Sequence, residues 1–421
     1  MKIIIIGAGP GGYETAVEAA ARGIEVIIIS DGPVGGTCLN EGCIPTKTFC
    51  NMTSPDQVRK QEVIGTLRGG VEGLLKGKNI TLVYGKASFV DSRTVAVEGV
   101  SYTADAIIIA TGSVSSSLPV PGADLEGVVT SREILDLESA PQRLCVIGGG
   151  VIGLEFASIF RNFGSEVTVL EYCPNLLPRF DVDLSKRLKQ SLGKRGITVE
   201  TSAQVYEISG EPGAMKVAYR KKEESFAVEA DLVLMAVGRR ANVESLNLAD
   251  VGIEFSRRGI AVDGNMQTSV PGIYAVGDVN GGIMLAHVAT YEGLRALNHI
   301  CGRPDGIDFG IVPSAVFTVP EAATVGRTEE ELKEAGIAFK ARKSFYRANG
   351  KALSMGKPDG YCKLLVGEDD DRILGCHIMG EHASDIIHEA AILMNAGVTA
   401  GKAKDFIFAH PTISEVLRNC L

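Results

Sequence analysis

The most constraining feature of the sequence is a strand, a glycine-rich turn and a helix that occur in succession twice. In the first copy, residues 2–6 form an apolar, β-branched run, the glycines of residues 7–12 follow, residues 13–22 favour a helix, and residues 25–29 are again apolar. Such runs are typical of strands buried on both faces of a parallel sheet. Glycines between strand and helix let the backbone approach a pyrophosphate, which the helix N-terminus binds. The stretch therefore predicts a dinucleotide site, with a glycine-rich packing turn as the alternative.

The second copy spans residues 144–170, and its glycine turn begins at Gly148, 141 residues after Gly7. The chain is therefore predicted to hold two dinucleotide sites. Glu171 ends the last strand of this copy, 23 residues after Gly148. A carboxylate there accepts hydrogen bonds from ribose hydroxyls and repels a 2′-phosphate, so the sequence favours NAD over NADP.

Cys38 and Cys43 stand close together in a segment punctuated by Gly and Pro. We interpret them as a redox-active disulfide, because thiol buffers inside cells keep ordinary disulfides reduced. A zinc site is a weaker interpretation, since zinc usually needs a second closely spaced Cys or His pair and the sequence supplies none. Two buried thiols acting as small apolar side chains are the remaining alternative.

Composition limits the class of protein. The 421 residues suffice for two or three domains, and no apolar run approaches the roughly 18 residues of a membrane span. The apolar start breaks at Gly7, too early for a signal peptide, so we expect a cytoplasmic protein. The net charge of -9 argues against nucleic acid as a partner, because nucleic acid is bound by basic faces.

Residues 35–47, which contain the cysteine pair, resemble the active-site motif of the FAD-dependent pyridine nucleotide-disulfide oxidoreductases. The resemblance runs through nearly the whole chain. It implies an α/β fold of two Rossmann-like dinucleotide-binding domains and a C-terminal α+β dimerisation domain, with one FAD per subunit, NAD, and a homodimer. The implied domains are an FAD-binding domain at 1–115 completed by 240–309, an NAD-binding domain at 116–239, and an interface domain at 310–421.

His410 and Glu415 are predicted to form a catalytic dyad. Pro411 favours a helix start, and the spacing lets the carboxylate fold back on the imidazole, which fixes the tautomer and raises the basicity of the ring. The resemblance implies that the dyad of one subunit faces Cys38 and Cys43 of the other.

The resemblance also implies roles for the remaining site residues. His410 deprotonates a substrate thiol, Cys38 forms a mixed disulfide, and Cys43 passes electrons to FAD and so to NAD. Lys47 pairs with Glu155 beside the flavin, unless Glu155 is simply an exposed helix residue. No metal ligands are expected. The expected cofactor contacts are Gly7, Gly9, Gly11, Gly12, Ser30, Asp31, Gly36, Thr37, Lys47, Thr111, Gly112, Gly148, Gly150, Gly153, Glu171, Gly238, Gly277, Asp278, Leu285, Ala286 and His287, the last as a structural neighbour rather than a base.

Three activities remain open. The first is oxidation of dihydrolipoamide on a lipoyl-bearing protein, an acyltransferase subunit or an H-protein, within a 2-oxo acid dehydrogenase or glycine cleavage complex. Residues 44–47, Glu171 and residues 348–352 favour it. The second is a sister NAD(P)H-dependent disulfide reductase, although some of these carry paired C-terminal thiols, whereas Cys420 is interpreted as a lone exposed thiol. The third is a turnover-deficient flavoprotein that serves as a binding subunit, motivated by Ser30 and by a short connection after Cys50.

Ser30 occupies the position where the family usually has a Glu that binds the adenosine ribose. Either its hydroxyl or the carboxylate of Asp31 must replace that contact, so we expect weakened FAD retention. Replacing Ser30 with Glu should raise the FAD content of the purified protein, measured as the ratio of flavin to protein absorbance. An unchanged occupancy and affinity would contradict this expectation.

Overall fold

The chain divides into two structural units, each built around a parallel sheet. The structure is a computed structural model that describes all 421 residues. The first unit comprises residues 1–49, 56–116 and 238–307, and the second comprises residues 50–55, 117–237 and 308–421. None of the helices combines the length and the apolar character that crossing a bilayer requires. The predicted α/β fold class is confirmed.

The first unit contains a five-stranded parallel sheet and a three-stranded antiparallel sheet that packs on it. The sequence of residues 81–97 predicts a hairpin, but Ile80–Tyr84 pairs in parallel with Glu25–Ser30. The parallel strands, in spatial order, are Ile273–Ala275, Ala106–Ile109, Lys2–Ile6, Glu25–Ser30 and Ile80–Tyr84, and the antiparallel strands are Ala87–Asp91, Thr94–Val97 and Val100–Thr103.

The helices of the first unit follow the sequence pattern closely. The sequence offers Ser54 as a cap for the second helix after the cysteine motif, but Asp56 caps that helix, Gln57–Leu75. Its Oδ1 accepts a hydrogen bond from the Arg59 N–H at 2.9 Å. Two short strand pairs complete the unit, Ser113–Ser115 with Arg239–Ala241 and Phe255–Ser256 with Gly259–Ile260. Its main helices are Pro10–Ala21, Gly36–Glu41, Cys43–Cys50, Gln57–Leu75 and Ala286–Ile300.

The second glycine turn lies in the other parallel sheet. The sequence of residues 201–230 predicts a single hairpin, but the segment forms a three-stranded meander because two turns divide it. The parallel strands, in spatial order, are Ile197–Thr201, Glu166–Glu171, Arg143–Ile147, Leu232–Met235 and Val128–Val129. The meander consists of Gln204–Glu211, Ala214–Lys221 and Glu224–Ala230. The helices of this part are Val151–Asn162 and Val182–Lys194.

The C-terminal part of the second unit is a five-stranded antiparallel sheet flanked by helices. The sequence predicts three of its strands, at 312–318, 360–366 and 373–379, and misses Ala322–Gly326 and Phe339–Phe345. The interpretation of Cys420 as a lone exposed thiol is wrong, because its side chain is buried against Cys362. The strands in order are Ser314–Val316, Ala322–Gly326, Ile373–Met379, Tyr361–Gly367 and Phe339–Phe345, and the helices are Glu329–Glu334, Gly350–Ser354, Ala383–Asn395, Ala400–Ala403 and Glu415–Arg418.

A buried ion cluster joins the helix Val182–Lys194 to this antiparallel sheet. The Lys363 ammonium lies 2.5 Å from Asp181 Oδ1 and 3.0 Å from Glu329 Oε2, and both Lys363 and Asp181 are completely buried. Asp181 also caps the helix through the N–H groups of the following residues. Because a charge removed from water needs a partner, each member of the cluster depends on the others.

Replacing Lys363 with Met should strongly destabilise the second unit, because it leaves two carboxylates without their buried cation. We expect a loss of about 3–5 kcal/mol, measured from urea unfolding. The matched control is Lys343→Met, which removes a partly exposed lysine from Asp183 and should cost about 1 kcal/mol or less. Equal losses in the two variants would contradict the assigned role of Lys363.

Candidate functional site

Both glycine turns bring the chain so close to a neighbouring strand end that a side chain cannot fit. Gly7 has φ +110° and Gly148 has φ +115°, a conformation that favours glycine. A Cβ at Gly7 would overlap the carbonyl oxygen of Ala110, and one at Gly148 would overlap that of Ala236. Both turns therefore require glycine because of the packing of the protein's own backbone.

The middle glycines differ, because they face open space. A Cβ at Gly9 would meet only Gly36 Cα at 4.0 Å, and a Cβ at Gly150 would meet nothing within 4 Å. Each is the N-cap of a helix that has no side-chain cap, so the first amides of both helices stay available. Space and free donors at a helix N-terminus fit the phosphates of FAD at Gly9 and of NAD at Gly150.

The cysteine segment is anchored to the first glycine turn. The Gly35 N–H donates to the Ala8 carbonyl at 2.8 Å, and Gly36 lies so close to Gly9 that a Cβ on it would be 2.7 Å from Gly9 Cα. Cys38 belongs to the helix Gly36–Glu41, and Cys43 begins the next helix. The segment thus holds both cysteines beside the turn that fits FAD.

Cys38 and Cys43 are free thiols in hydrogen-bond contact. The hydrogen bond with Cys43 and burial raise the pKa of the Cys38 thiol, whereas the charge of Lys47 acts in the opposite direction. Tyr13 lies near the pair; burial, followed by the charge of Glu14, raises its pKa to about 12. The geometry suits a pair that alternates between dithiol and disulfide.

Sequence reasoning missed two side chains that surround Asp278. The Ser113 hydroxyl donates to Asp278 Oδ2, and Arg239 donates through Nε to Ser113 Oγ and through Nη2 to the Ser113 carbonyl, both at 2.7 Å. Burial lowers the pKa of the Arg239 guanidinium, and the nearby Asp278, Glu41 and Cys43 oppose that shift. A partly buried cation therefore lies in the electrostatic surroundings of Cys43.

Glu292 also escaped prediction, although it holds the turn that contains Asp278. Its Oε2 accepts hydrogen bonds from the Gly277 N–H at 2.6 Å and from Asn280 Nδ2 at 2.8 Å. The side chain is buried, and burial raises its pKa to about 7 despite these donors. A Glu seven residues into the helix that follows the turn was the only signal in the sequence.

Other predicted FAD contacts lie in the same unit. The Ser30 hydroxyl is buried and donates to the Gly32 carbonyl at 2.8 Å, whereas Asp31 is exposed. Thr111 Oγ1 donates to the Asn242 carbonyl at 2.7 Å, next to Gly112, which has positive φ. Two other predicted contacts, Gly11 and Gly12, are buried at the start of the first helix. Thr37 is exposed in the cysteine segment, and Gly238 precedes Arg239. The remaining three lie at the start of the last helix of the unit: Leu285, Ala286 and His287.

Glu171, the residue predicted to select NAD, lies in the second unit against the glycine turn. Its Oε2 accepts the Gly149 N–H and its Oε1 accepts the Cys173 N–H, both at 2.5 Å. Gly153 packs against the backbone of Gly148. The carboxylate is therefore fixed against the second glycine turn, and its contact with a ribose hydroxyl stays a prediction.

Glu155 is buried, so the alternative of an exposed helix residue is wrong. Its Oε1 accepts the Phe317 N–H at 3.0 Å. The proposed pairing of Glu155 with Lys47 stays a prediction.

His410 and Glu415 are in direct contact. His410 Nδ1 lies 3.1 Å from Glu415 Oε1 and 3.2 Å from Oε2, and the Thr412 N–H donates to Oε2 at 3.1 Å. The hydrogen bond with His410 lowers the pKa of Glu415. A carboxylate at Nδ1 favours the tautomer with Nδ1–H, which leaves Nε2 free to accept a proton.

The loop that carries His410 is held by Asn349. This buried side chain donates through Nδ2 to the Thr412 carbonyl at 3.0 Å, while its Oδ1 accepts the Ala352 N–H at 2.9 Å. Asn349 thus caps the helix Gly350–Ser354 and also holds the loop at Thr412, between the two residues of the dyad. No group of three or more His, Cys, Asp or Glu side chains in the chain is arranged to hold a metal ion.

The raised pKa of Glu292 predicts a pH dependence. Its pKa in the folded state is about 7, whereas the ordinary value is 4.5. At pH values between these two, the folded state binds more protons at this group than the unfolded state does. The stability that Glu292 contributes therefore falls as the pH rises from 4.5 to about 7. Glu292→Gln keeps an acceptor and removes the charge. The variant should match the parent in thermal midpoint near pH 5 and exceed it near pH 8. A parent that loses no more stability than the variant over this range would refute the interpretation.

Comparison with known proteins identifies the family. Residues 1–293 match the pyridine nucleotide-disulphide oxidoreductases, and residues 312–420 match the dimerisation domain of the same enzymes. A dihydrolipoyl dehydrogenase of Bacillus subtilis is 37% identical over 450 aligned positions that cover 100% of this chain and 98% of the relative. One from Staphylococcus aureus is 38% identical, covering 98% of this chain and 94% of the relative.

Solved structures agree. The HOCl-induced flavoprotein disulfide reductase RclA of Escherichia coli is 32% identical with a TM-score of 0.92, covering 100% of this chain and 99% of that one. LpdA of Mycobacterium tuberculosis is 26% identical with a TM-score of 0.92, covering 100% and 98%. Two glycine turns, a contacting thiol pair, a His–Glu dyad and these full-length matches lead to one conclusion: this chain belongs to the pyridine nucleotide-disulphide oxidoreductases, enzymes that use FAD and NAD.

Proposed function

We propose that this chain oxidises dihydrolipoamide on a lipoyl-bearing protein to lipoamide and reduces NAD to NADH, as a homodimer in the cytoplasm. The observation that carries the proposal is the contact between the Cys38 and Cys43 thiols beside the first glycine turn. Thiols already in contact close into a disulfide with little movement. The full-length relatives named dihydrolipoyl dehydrogenase support the choice of substrate.

The proposed reaction begins with proton removal. Glu415 fixes the His410 ring, and Nε2 takes a proton from one substrate thiol. That thiolate attacks Cys38 of the oxidised pair, and Cys43 leaves as a thiolate. The second substrate thiol then displaces Cys38 and its proton passes to the Cys38 sulfur, so lipoamide forms, Cys38 becomes a thiol, and Cys43 stays a thiolate while His410 holds the first proton. FAD, when bound, carries the two electrons from this pair to NAD.

Charged side chains are proposed to assist. Arg239 is a partly buried cation in the surroundings of Cys43, and the charge of Lys47 acts on Cys38, so both favour thiolates over thiols. Glu171 is proposed to accept a ribose hydroxyl and select NAD. The dyad of one subunit is proposed to face the cysteine pair of the other, which is why the dimer would be the active form.

A steady-state assay of the FAD-loaded protein tests the proposal. NADH should form when dihydrolipoamide and NAD are supplied together. A parallel assay with oxidised glutathione and NADPH addresses the sister reductase, which the likeness to RclA keeps as the second candidate. Turnover in the second assay alone would favour that reductase, and no turnover in either would favour a binding subunit.

Replacing Cys43 with Ser should abolish NADH formation, because Cys38 then has no partner that can leave. It should also abolish the long-wavelength absorbance that appears when a thiolate lies beside FAD. Cys301→Ser is the matched control, since Cys301 lies at the end of the helix Ala286–Ile300, outside the cysteine segment. Retained turnover or absorbance in Cys43→Ser would remove this thiol from the mechanism.

A further inference from the structure

The segment that carries Cys38 and Cys43 contains a short helix with little stability of its own. Gly36–Glu41 has six residues and no side-chain cap, and both Gly35 and Gly36 have positive φ. Helices this short are marginal unless tertiary contacts hold them, and glycines give the backbone many alternative conformations. The position of Cys38 relative to Cys43 therefore depends on side chains that fix this helix in place.

Asn40 stands between the two cysteines and connects the helix to the chain that precedes it. Its Nδ2 donates to the Gly36 carbonyl at 2.8 Å and to the Val34 carbonyl at 3.0 Å, with a longer contact to the Pro33 carbonyl at 3.5 Å. The amide thus uses its N–H bonds on carbonyls of the turn before Cys38. These contacts exist only while the NH2 end of the amide, and not its oxygen, faces those carbonyls.

Arg68 determines which way the amide of Asn40 points. It lies on the helix Gln57–Leu75, and its Nε and Nη2 both donate to Asn40 Oδ1, at 2.9 and 2.7 Å. A guanidinium has donors and no acceptor, so it binds the oxygen end of the amide and leaves the NH2 end toward the carbonyls. Its charge also polarises the amide and strengthens the hydrogen bonds that Nδ2 donates. A partly buried arginine on a 19-residue helix thereby fixes a side chain between the cysteines.

We propose that Arg68 is a positioning residue for the cysteine pair: acting through Asn40, it keeps Cys38 within reach of Cys43 and so lowers the reduction potential of their disulfide. The inference rests on the proposed function, because it takes this pair as the one that alternates between dithiol and disulfide. Thiols that are ordered beforehand form a disulfide more readily, since less entropy is lost when the bond closes. Both hydrogen bonds of Arg68 go to Asn40, so the arginine acts through that residue.

Loss of Arg68 should shift the equilibrium of the pair toward the dithiol. The amide could then turn over and give up its contacts with Val34 and Gly36, and the helix would hold Cys38 less firmly. Two charge-assisted hydrogen bonds to one oxygen correspond to a change of about tenfold in the equilibrium constant for disulfide closure. For a two-electron couple, a tenfold change raises the reduction potential by about 30 mV.

The test equilibrates FAD-loaded protein, without oxygen, in buffers of reduced and oxidised dithiothreitol. Two electrons and two protons pass from dithiothreitol to the disulfide, so the buffer ratio at half-reduction gives the reduction potential of the pair. Samples are quenched in acid, alkylated and digested with trypsin, which leaves both cysteines on the peptide 23–47. The masses of its alkylated and disulfide forms report the fraction reduced.

Arg68→Met removes both donors and should raise the reduction potential by about 30 mV. Arg68→Lys keeps the charge with a single donor group and should fall between this variant and the parent. Arg59→Met is the matched control, because Arg59 lies on the same helix, is exposed and pairs with Glu62 at 3.4 Å; its potential should equal that of the parent. An equal rise in Arg59→Met would overturn the proposal. So would a lower thermal midpoint in Arg68→Met with an unchanged potential, which marks a merely structural arginine.

A double variant tests the route through Asn40. Asn40→Ala should raise the reduction potential by itself, and adding Arg68→Met should raise it no further. Additive rises would overturn the assignment, because the arginine would then act by another route. Should Asn40→Ala fail to fold, the comparison of Arg68→Met with Arg59→Met decides alone.

Failure of this inference and failure of the proposed function are distinguishable in the same experiment. A parent protein whose Cys38 and Cys43 form no disulfide in any of the buffers would refute the proposed function, and the inference with it. A parent that titrates as a disulfide, together with an Arg68→Met variant of the same potential, would refute the inference alone.

Discussion

Close backbone approach at the two glycine turns is the constraint on which the rest of the structure depends. Gly7 against Ala110 and Gly148 against Ala236 are the same contact made twice, each at the carboxyl end of a parallel strand. That contact starts a helix with uncapped amides at the sheet edge, where parallel α/β sheets bind their ligands. Each unit thus acquires, from the same local contact, one helix N-terminus whose free amides suit a phosphate group.

The reactive groups are attached to these scaffolds by short, specific contacts. Gly36 seats the cysteine segment on Gly9, so the position of the thiols follows from the position of the turn that fits FAD. Asn349 does the equivalent for the dyad, because its buried amide connects a helix start to the loop at Thr412. In both cases an uncharged residue, Gly36 or Asn349, determines where the reactive side chains lie.

The sequence alone predicted those elements and site residues whose positions depend on interactions between neighbouring parts of the chain. Both strand–turn–helix units, the cysteine segment and the five-residue spacing from His410 to Glu415 are contained in short stretches. Prediction failed where distant parts of the chain meet: Arg239 and Ser113 are 126 positions apart, and Cys420 reaches its partner across 58. The strand Phe339–Phe345 was missed because its three basic residues resemble a surface loop, and only pairing with Tyr361–Gly367 makes it part of a sheet.

The ion cluster around Lys363 has a consequence for how such enzymes diversify. Asp181 belongs to the nucleotide-binding part of the second unit and Lys363 to the part that matches the dimerisation domain, and neither charge contacts water. A chimera that took its C-terminal part from a relative without this lysine would inherit an unneutralised carboxylate. A replacement C-terminal part for this chain must therefore bring its own cation to neutralise Asp181.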